Sequence, residues 1–229
     1  MPVISQAVQD YLKAIYKLLN GQDPVASVTT STVAEKMDVA AASATNMVKK
    51  LAEMKLVEHT PYQGVMLTAM GEKIALEVIR HHRLLELYLA EVLGYDLDRV
   101  DAEAERLEHV ISEEFEDRID MALGHPTIDP HGAPIPSKEG EIEHRNYQVL
   151  SDVQSGRPVV IRQVSDQNPE MLRYMGSMGL RPNVVVVVID RAPFNGPLQI
   201  EVGEGERHAL GLEVAGHIYV TPVEESGFA

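Results

Sequence analysis

Residues 32–68 read TVAEKMDVAAASATNMVKKLAEMKLVEHTPYQGVMLT. Thr32-Val33-Ala34-Glu35 fits the Ser/Thr-x-x-Glu capping box, in which a hydroxyl and a carboxylate satisfy free N–H groups at a helix start. It predicts a short helix ending near Met37-Asp38. Residues 41–54 predict a second helix, with Ala44, Met47, Val48 and Leu51 spaced as its buried stripe. A short helix, a tight turn and a second helix make a helix-turn-helix pattern. Leu56-Val57-Glu58-His59 and Val65-Met66-Leu67-Thr68 flank residues 60–64 and predict a β-hairpin with a glycine-containing loop. Helix-turn-helix plus hairpin predicts a winged helix, with a plain αα-hairpin as the alternative. The second helix presents Ala42, Ser43, Thr45, Asn46, Lys49 and Lys50 on its outer side. Small residues allow close approach to a groove floor, Ser, Thr and Asn can pair with base edges, and lysines can reach phosphates.

Upstream, residues 4–19 carry apolar side chains at helical spacing and end at Asn20-Gly21. Asp10 lies beside that apolar stripe; a solvated surface carboxylate is its plain reading. Downstream, Thr68 opens a helix of about 25 residues that runs to Gly94, a length able to pass from one domain into the next. His82 and Glu86 are one turn apart on it. A further helix is predicted over residues 101–123. There Glu105, Glu108 and His109 fall at i, i+3 and i+4, so two carboxylates and an imidazole share a face that can chelate a divalent ion. A solvated acidic face with a chance histidine is the competing reading. Both long helices are apolar on one side, which predicts packing against a second copy.

Residues 124–137 hold four prolines and two glycines. They predict an irregular, stiffened connection containing Asp129 and His131, for which an Asx-turn with a surface histidine is the alternative reading. Residues 138–146 are polar and read as a linker. From Tyr147 the pattern turns to short strands at 159–164, 184–189, 198–202 and 218–220, with a short helix over 169–178. Asn195-Gly196 and Gly203-Glu204-Gly205 are turn signals, and the set predicts a small barrel.

The net charge of −15 is unevenly spread. Residues 1–74 hold 7 basic and 7 acidic side chains, residues 75–149 hold 7 and 18, and residues 150–229 hold 6 and 10. The neutral first third can carry a local basic patch, and the acidic middle can attract cations. With no cysteine, disulfides, thiolate zinc sites and iron–sulfur clusters are excluded, and any metal must sit in oxygen and imidazole ligands. No apolar run approaches a membrane span and no signal pattern opens the chain, so the expected location is cytoplasmic. There is no P-loop, catalytic triad or Gly-x-Gly-x-x-Gly.

The order winged helix, two-helix segment, small barrel resembles the diphtheria toxin repressor family of iron- and manganese-dependent regulators. The resemblance rests also on Asp10-Tyr11-Leu12-Lys13-Ala14-Ile15-Tyr16, His82-Arg83-Leu84 and Glu105-Arg106-Leu107-Glu108-His109. Met178-Gly179-Leu180-Arg181-Pro182 and Gly196-Pro197-Leu198 are similar to the FeoA-type SH3-like barrel of longer members. It implies an α+β chain: a winged helix-turn-helix over 1–74, a helical dimerisation and metal-binding domain over 75–146, and an SH3-like domain over 147–229. It implies a first metal site of Asp10, Glu105, Glu108 and His109, with His82 close by. A second site would use Glu86, Asp129, His131 and Asp166, and Asp101 and Glu170 are weaker candidates. Carboxylates at Asp10 and Glu105, where iron-type members carry sulfur, point to Mn²⁺, with Fe²⁺ as the alternative and other divalent ions binding in vitro. Lys13 stands where short manganese regulators have Glu, which speaks against their close two-metal centre.

The implied function is a metal-dependent, DNA-binding repressor, not an enzyme. It would bind a palindromic double-stranded operator as a homodimer and repress metal-uptake genes, with no membrane or small-molecule substrate involved. Clustered acids should repel one another without the ion and loosen the metal-free form. Two rivals remain. One is a metalloenzyme with a carboxylate/His di-metal centre, for which Glu141-x-x-His144 offers half a motif; the other is a metal-storage protein that does not bind DNA.

Overall fold

The computed structural model describes residues 4–21, 25–60, 64–143, 145–203 and 205–223. His144, the hairpin tip at 61–63 and Glu204 of the predicted glycine turn lie outside them. The chain forms two compact units: Met1–His82 with Arg106–Glu116 and Pro136–Ile142, and Arg83–Glu105 with Asp117–Ile135 and Glu143–Ala229.

In the first unit, α1 (Gln6–Leu19) buries Val8, Leu12 and Ile15. Helix α2 (Thr30–Lys36) begins two residues before the predicted capping box. Thr29 is its cap, accepting from the Thr32 N–H, while Thr32 sits inside the first turn. Either Thr can cap a helix through its hydroxyl, although only Thr32 has a Glu three residues on, and the hydrogen bond decides for Thr29. Helix α3 (Ala41–Glu53) buries Ala44, Val48 and Leu51. Strands β1 (Val57–Thr60) and β2 (Gly64–Leu67) pair antiparallel, Val57 opposite Leu67, and Val28 adds a bridge to Val65. These elements close one apolar core around Leu12, Ile15, Val33, Val48, Leu51 and Val65.

Helix α4 (Ala69–Glu91) starts where predicted. The Thr68 hydroxyl donates to the Leu56 carbonyl and accepts from the Gly71 N–H. Gly71 lies so close to β1 that an added Cβ would stand 2.0 Å from the Leu56 oxygen. The single helix predicted over 101–123 is instead two, α5 (Leu97–Leu107) and α6 (Glu113–Ala122). Ser112 starts the second: its hydroxyl accepts from the Phe115 N–H and its carbonyl from the Glu116 N–H. A local side-chain cap thus outcompetes continuation of the helix. Residues 137–141 are not an open linker, because the Ser137 hydroxyl accepts from the N–H groups of Glu139 and Glu141. Ile142 packs on the first core.

Inside this unit Arg80 of α4 donates to Glu116 of α6 at 2.5 Å and to the Pro136 carbonyl, and His81 lies 3.3 Å from the other Glu116 oxygen. Burial pushes the Glu116 carboxyl up, but His81 and Arg80 outweigh it and hold it at about 2.

In the second unit, β3 (Gln148–Val149) leads into a short 3₁₀ turn. Strands β4 (Pro158–Val164), β5 (Val185–Arg191), β6 (Leu198–Val202), β7 (Glu206–Leu210) and β8 (Ile218–Pro222) complete an antiparallel sheet ordered β3-β8-β4-β5-β6-β7. Leu198, Ile200 and Val202 alternate inward, and Val186 and Val188 meet them in a core with Ile161 and Leu180. Irregular register in β4 and β5 bends the sheet. Helix α7 (Pro169–Ser177) is capped by Asn168, and α8 (Leu212–Ala215) precedes β8. Strand β7, rich in Glu, Arg and His, is held by β6 pairing rather than by its own propensity. The fold class is α+β, as the resemblance implies.

Two substitutions test these contacts. Gly71→Ala should push α4 off β1 and cost about 1–3 kcal/mol in urea unfolding. Glu116→Gln should cost about 3 kcal/mol at pH 7, since it strips a buried pair of one charge. A carboxyl depressed from about 4.5 to about 2 contributes fully above pH 4.5 and loses its contribution as pH falls toward 2. The gap between wild type and variant should therefore narrow between pH 4.5 and pH 2; a constant gap would assign the loss to packing.

Candidate metal centre

Asp10 projects from α1, while Glu108 and His109 lie in the turn beyond α5. Helix α5 ends at Leu107, one residue short of Glu108, so Glu108 and His109 lie beyond the helix on which Glu105 was expected to be joined by them. Folding of the turn does what the helix was expected to do. One ligand atom each from Asp10, Glu108 and His109 lies within 4.8 Å of the others. His109 Nε2 is 2.7 Å from Asp10 Oδ1 and 3.3 Å from Glu108 Oε1. Its Nδ1 donates to the Gln9 amide oxygen at 2.8 Å. Gln9 thereby fixes the ring orientation and aims Nε2 at the two carboxylates, as an outer-shell partner does for a metal-binding histidine. Nothing in the sequence singles out Gln9 except its place beside Asp10.

Glu108 is fully buried. Its Oε2 accepts from His82 Nδ1 at 2.5 Å, and Lys13 Nζ donates to Oε1 at 2.9 Å and to Oε2 at 2.7 Å. Burial pushes the carboxyl up, but the His82 hydrogen bond and the Lys13 charge overcome it and hold the group below the usual carboxylate value. The cluster is therefore more than a set of acids, because Lys13, from α1 itself, balances Glu108. Glu105 is exposed on α5 and belongs to the other unit.

The second unit gathers Glu86, Asp129 and His131, all buried. His131 Nε2 is 3.5 Å from Glu86 Oε1, and Arg83 Nε is 3.5 Å from Asp129 Oδ2. Asp129 Oδ1 accepts from the N–H groups of His131 and Ala133, both at 2.9 Å. The Asx-turn of the plain reading is real, yet His131 is inside rather than on the surface. Burial, and then the Glu86 charge, push Asp129 up to about 6. Burial lowers the His131 value, but Glu86, Asp129 and Asp166 more than reverse it. Half-buried Asp166 is thus close enough to act on His131, whereas Glu170 is exposed in the first turn of α7. The loop is seated by the His131 carbonyl, which accepts from the Val164 N–H. At Gly132 an added Cβ would stand 1.9 Å from the Arg162 oxygen.

Both clusters fit a divalent cation in their donor chemistry, with hard carboxylate oxygens and imidazole. The tighter one, Asp10–Glu108–His109, has its atoms already converged. On α3, Ala42, Ser43, Asn46, Lys49 and Lys50 are exposed, and Thr45 is half-buried with its hydroxyl donating to the Ala41 carbonyl.

The family model described as the iron dependent repressor N-terminal DNA binding domain matches residues 4–65. That of the iron dependent repressor metal binding and dimerisation domain matches 68–137, and the FeoA domain matches 148–222. The iron-dependent repressor IdeR of Mycobacterium tuberculosis is 29% identical over 225 residues, covering 93% of this chain and 96% of that protein. A solved manganese-dependent transcriptional repressor in complex with manganese is 37% identical, with a TM-score of 0.85 over 94% of this chain and 100% of that one. The manganese regulator SloR is 34% identical, with a TM-score of 0.75 over 94% of this chain and 98% of its own. With its DNA-binding, metal-binding and FeoA segments matched in order, the chain belongs to the iron-dependent, or diphtheria toxin, repressor family: DNA-binding, metal-dependent transcriptional repressors rather than enzymes.

Proposed function

We propose that this chain is a manganese-responsive repressor that binds a palindromic operator as a homodimer and shuts down metal-uptake genes when loaded. The supporting observation is the convergence of Asp10, Glu108 and His109. It brings a side chain of the DNA-binding segment together with two from the metal-binding segment, all of them oxygen or imidazole donors. The resemblance adds Glu105 and His82 to this first site, and Glu86, Asp129, His131 and Asp166 form the second. The working division stays 1–74 for DNA binding, 75–146 for dimerisation and metal, and 147–229 for the SH3-like domain. The reading places the protein in the cytoplasm; among the described residues no helix is long and apolar enough to cross a membrane.

Bound metal supplies divalent positive charge to the first site. Asp10, Glu108 and His109 would hold it, and Gln9 would keep the His109 ring turned toward it. Ordering α1 against the turn after α5 then fixes α3 for its half-site, where Ala42, Ser43, Thr45 and Asn46 face bases and Lys49 and Lys50 face phosphates. A ligand that binds the ordered state alone favours it by about 2.7 kcal/mol at a hundredfold excess over Kd. Exposed Phe115 and Met121 on α6 are candidate dimer contacts. Iron is the second reading of the physiological metal, carried by the relatives named iron-dependent.

Asp10→Ala should abolish Mn²⁺-stimulated binding, with a loss of roughly 100-fold or more, while leaving the circular dichroism spectrum unchanged. The measurement is fluorescence anisotropy on duplexes selected from a random pool, titrated with Mn²⁺, Fe²⁺ and Zn²⁺. Undiminished Mn²⁺ stimulation in the variant would sink the proposal. Lys49→Ala should weaken binding on all duplexes alike and reduce the salt slope by about 1.

A further inference from the structure

Lys13 is a lysine on the buried face of α1, among Val8, Leu12 and Ile15. Its ammonium has left water and lies 2.7 and 2.9 Å from the two Glu108 oxygens and 3.2 Å from His82 Nδ1. A buried ammonium costs several kcal/mol in solvation, so its geometry needs a reason. Glu108 Oε1, one of the oxygens it holds, is also the oxygen 3.3 Å from His109 Nε2. Lys13 and the candidate ligand set therefore converge on the same carboxylate, and α1 reaches it twice: through Asp10 toward His109, and one turn later through Lys13.

We propose that Lys13 is a built-in competitor of the divalent ion. Its ammonium holds Glu108 in the metal-free protein, so filling the first centre exchanges one cation for another at that carboxylate. Lys13 thereby sets the metal concentration at which the centre fills. The inference rests on Asp10, Glu108 and His109 being metal ligands. Two opposed consequences follow from charge alone. Without Lys13, the metal-free protein keeps a buried carboxylate short of a partner, which destabilises it. A dication entering beside Glu108 then no longer meets an ammonium next to the same oxygens, which tightens its binding. A side chain with a purely structural role would weaken both states together.

The test uses the full-length, metal-stripped protein titrated with Mn²⁺, reading free Mn²⁺ by electron paramagnetic resonance and Tm by calorimetry. Lys13→Met keeps the apolar stem and removes the charge. It should lower the metal-free Tm, tighten Mn²⁺ binding at the Asp10-dependent site at least tenfold, and give a larger Mn²⁺-induced rise in Tm than wild type. Lys13→Arg, which keeps the cation, should return the Mn²⁺ affinity toward wild type. If metal-free Lys13→Met does not fold, Lys13→Gln, which retains an amide donor for Glu108, should show the same tightening. Mn²⁺ affinity within twofold of wild type, or weaker, in the neutral variant would overturn the role of Lys13. If Asp10→Ala leaves the wild-type Mn²⁺ titration unchanged, the ligand assignment itself fails and takes the proposal with it, by a result distinct from the first.

Discussion

A carboxylate buried as deeply as Glu108 has to be matched by positive charge, and the first unit is arranged around that need. Lys13 reaches it from α1, His82 from α4, and His109 stands beside it in the chain. Three stretches distant in sequence are thereby tied at one point. Hydrophobic burial gives this unit its stability, but it is indifferent to which turn of α1 faces which residue of the loop. The charged contacts are directional, and they fix that register. The same logic governs Glu116, which Arg80 and His81 hold ionised. Breaking either cluster from one side leaves a charge stranded in low dielectric, so each is costlier to disturb than its net contribution suggests.

The second unit handles buried acid differently. Glu86 and Asp129 face His131 and Arg83 at longer separations, and part of the charge is relieved by raising Asp129 to about 6 instead of pairing it tightly. The two clusters thus share a composition of carboxylate, imidazole and one basic side chain, but differ in how firmly they are closed. The first is compact, with Lys13 and His82 donating to Glu108 at 2.5–2.9 Å. The second is held mainly by its loop, with backbone amides gripping Asp129 and the seat of Gly132 on the Arg162 carbonyl keeping the loop against β4.

Much of this was readable from the chain. Helix α3, the hairpin, α4 and strand β6 follow from periodicity of apolar side chains, a local signal that survives without tertiary knowledge. The break between α5 and α6 was missed because Glu108 to Ser112 contains neither Gly nor Pro, and the deciding Ser112 hydroxyl looks like any surface serine. Thr32 mimicked a cap that belongs to Thr29. Strand β7 has the composition of a loop and exists because β6 offers it a ladder. At the candidate metal centre, residue types point to Asp10, Glu108 and His109, and the structure groups them through the turn after α5 rather than along one helix. Gln9 is not legible as a site residue, and Lys13 is legible only as a replacement of Glu, not as a partner of Glu108: Lys13 meets Glu108 across 95 positions and Gln9 meets His109 across 100, and no local pattern encodes such contacts.

The Asx turn at Asp129 limits what its loop can hold. With Oδ1 committed to two backbone amides, only Oδ2 is left to face a cation, so Asp129 would serve a metal through one oxygen. Ions that fill seven or eight positions, as Ca²⁺ does, draw on carboxylates that give both oxygens. A loop that withholds one oxygen would favour a smaller coordination number, so the turn that shapes the backbone would also discriminate between ions by coordination number before any difference in ligand softness came into play.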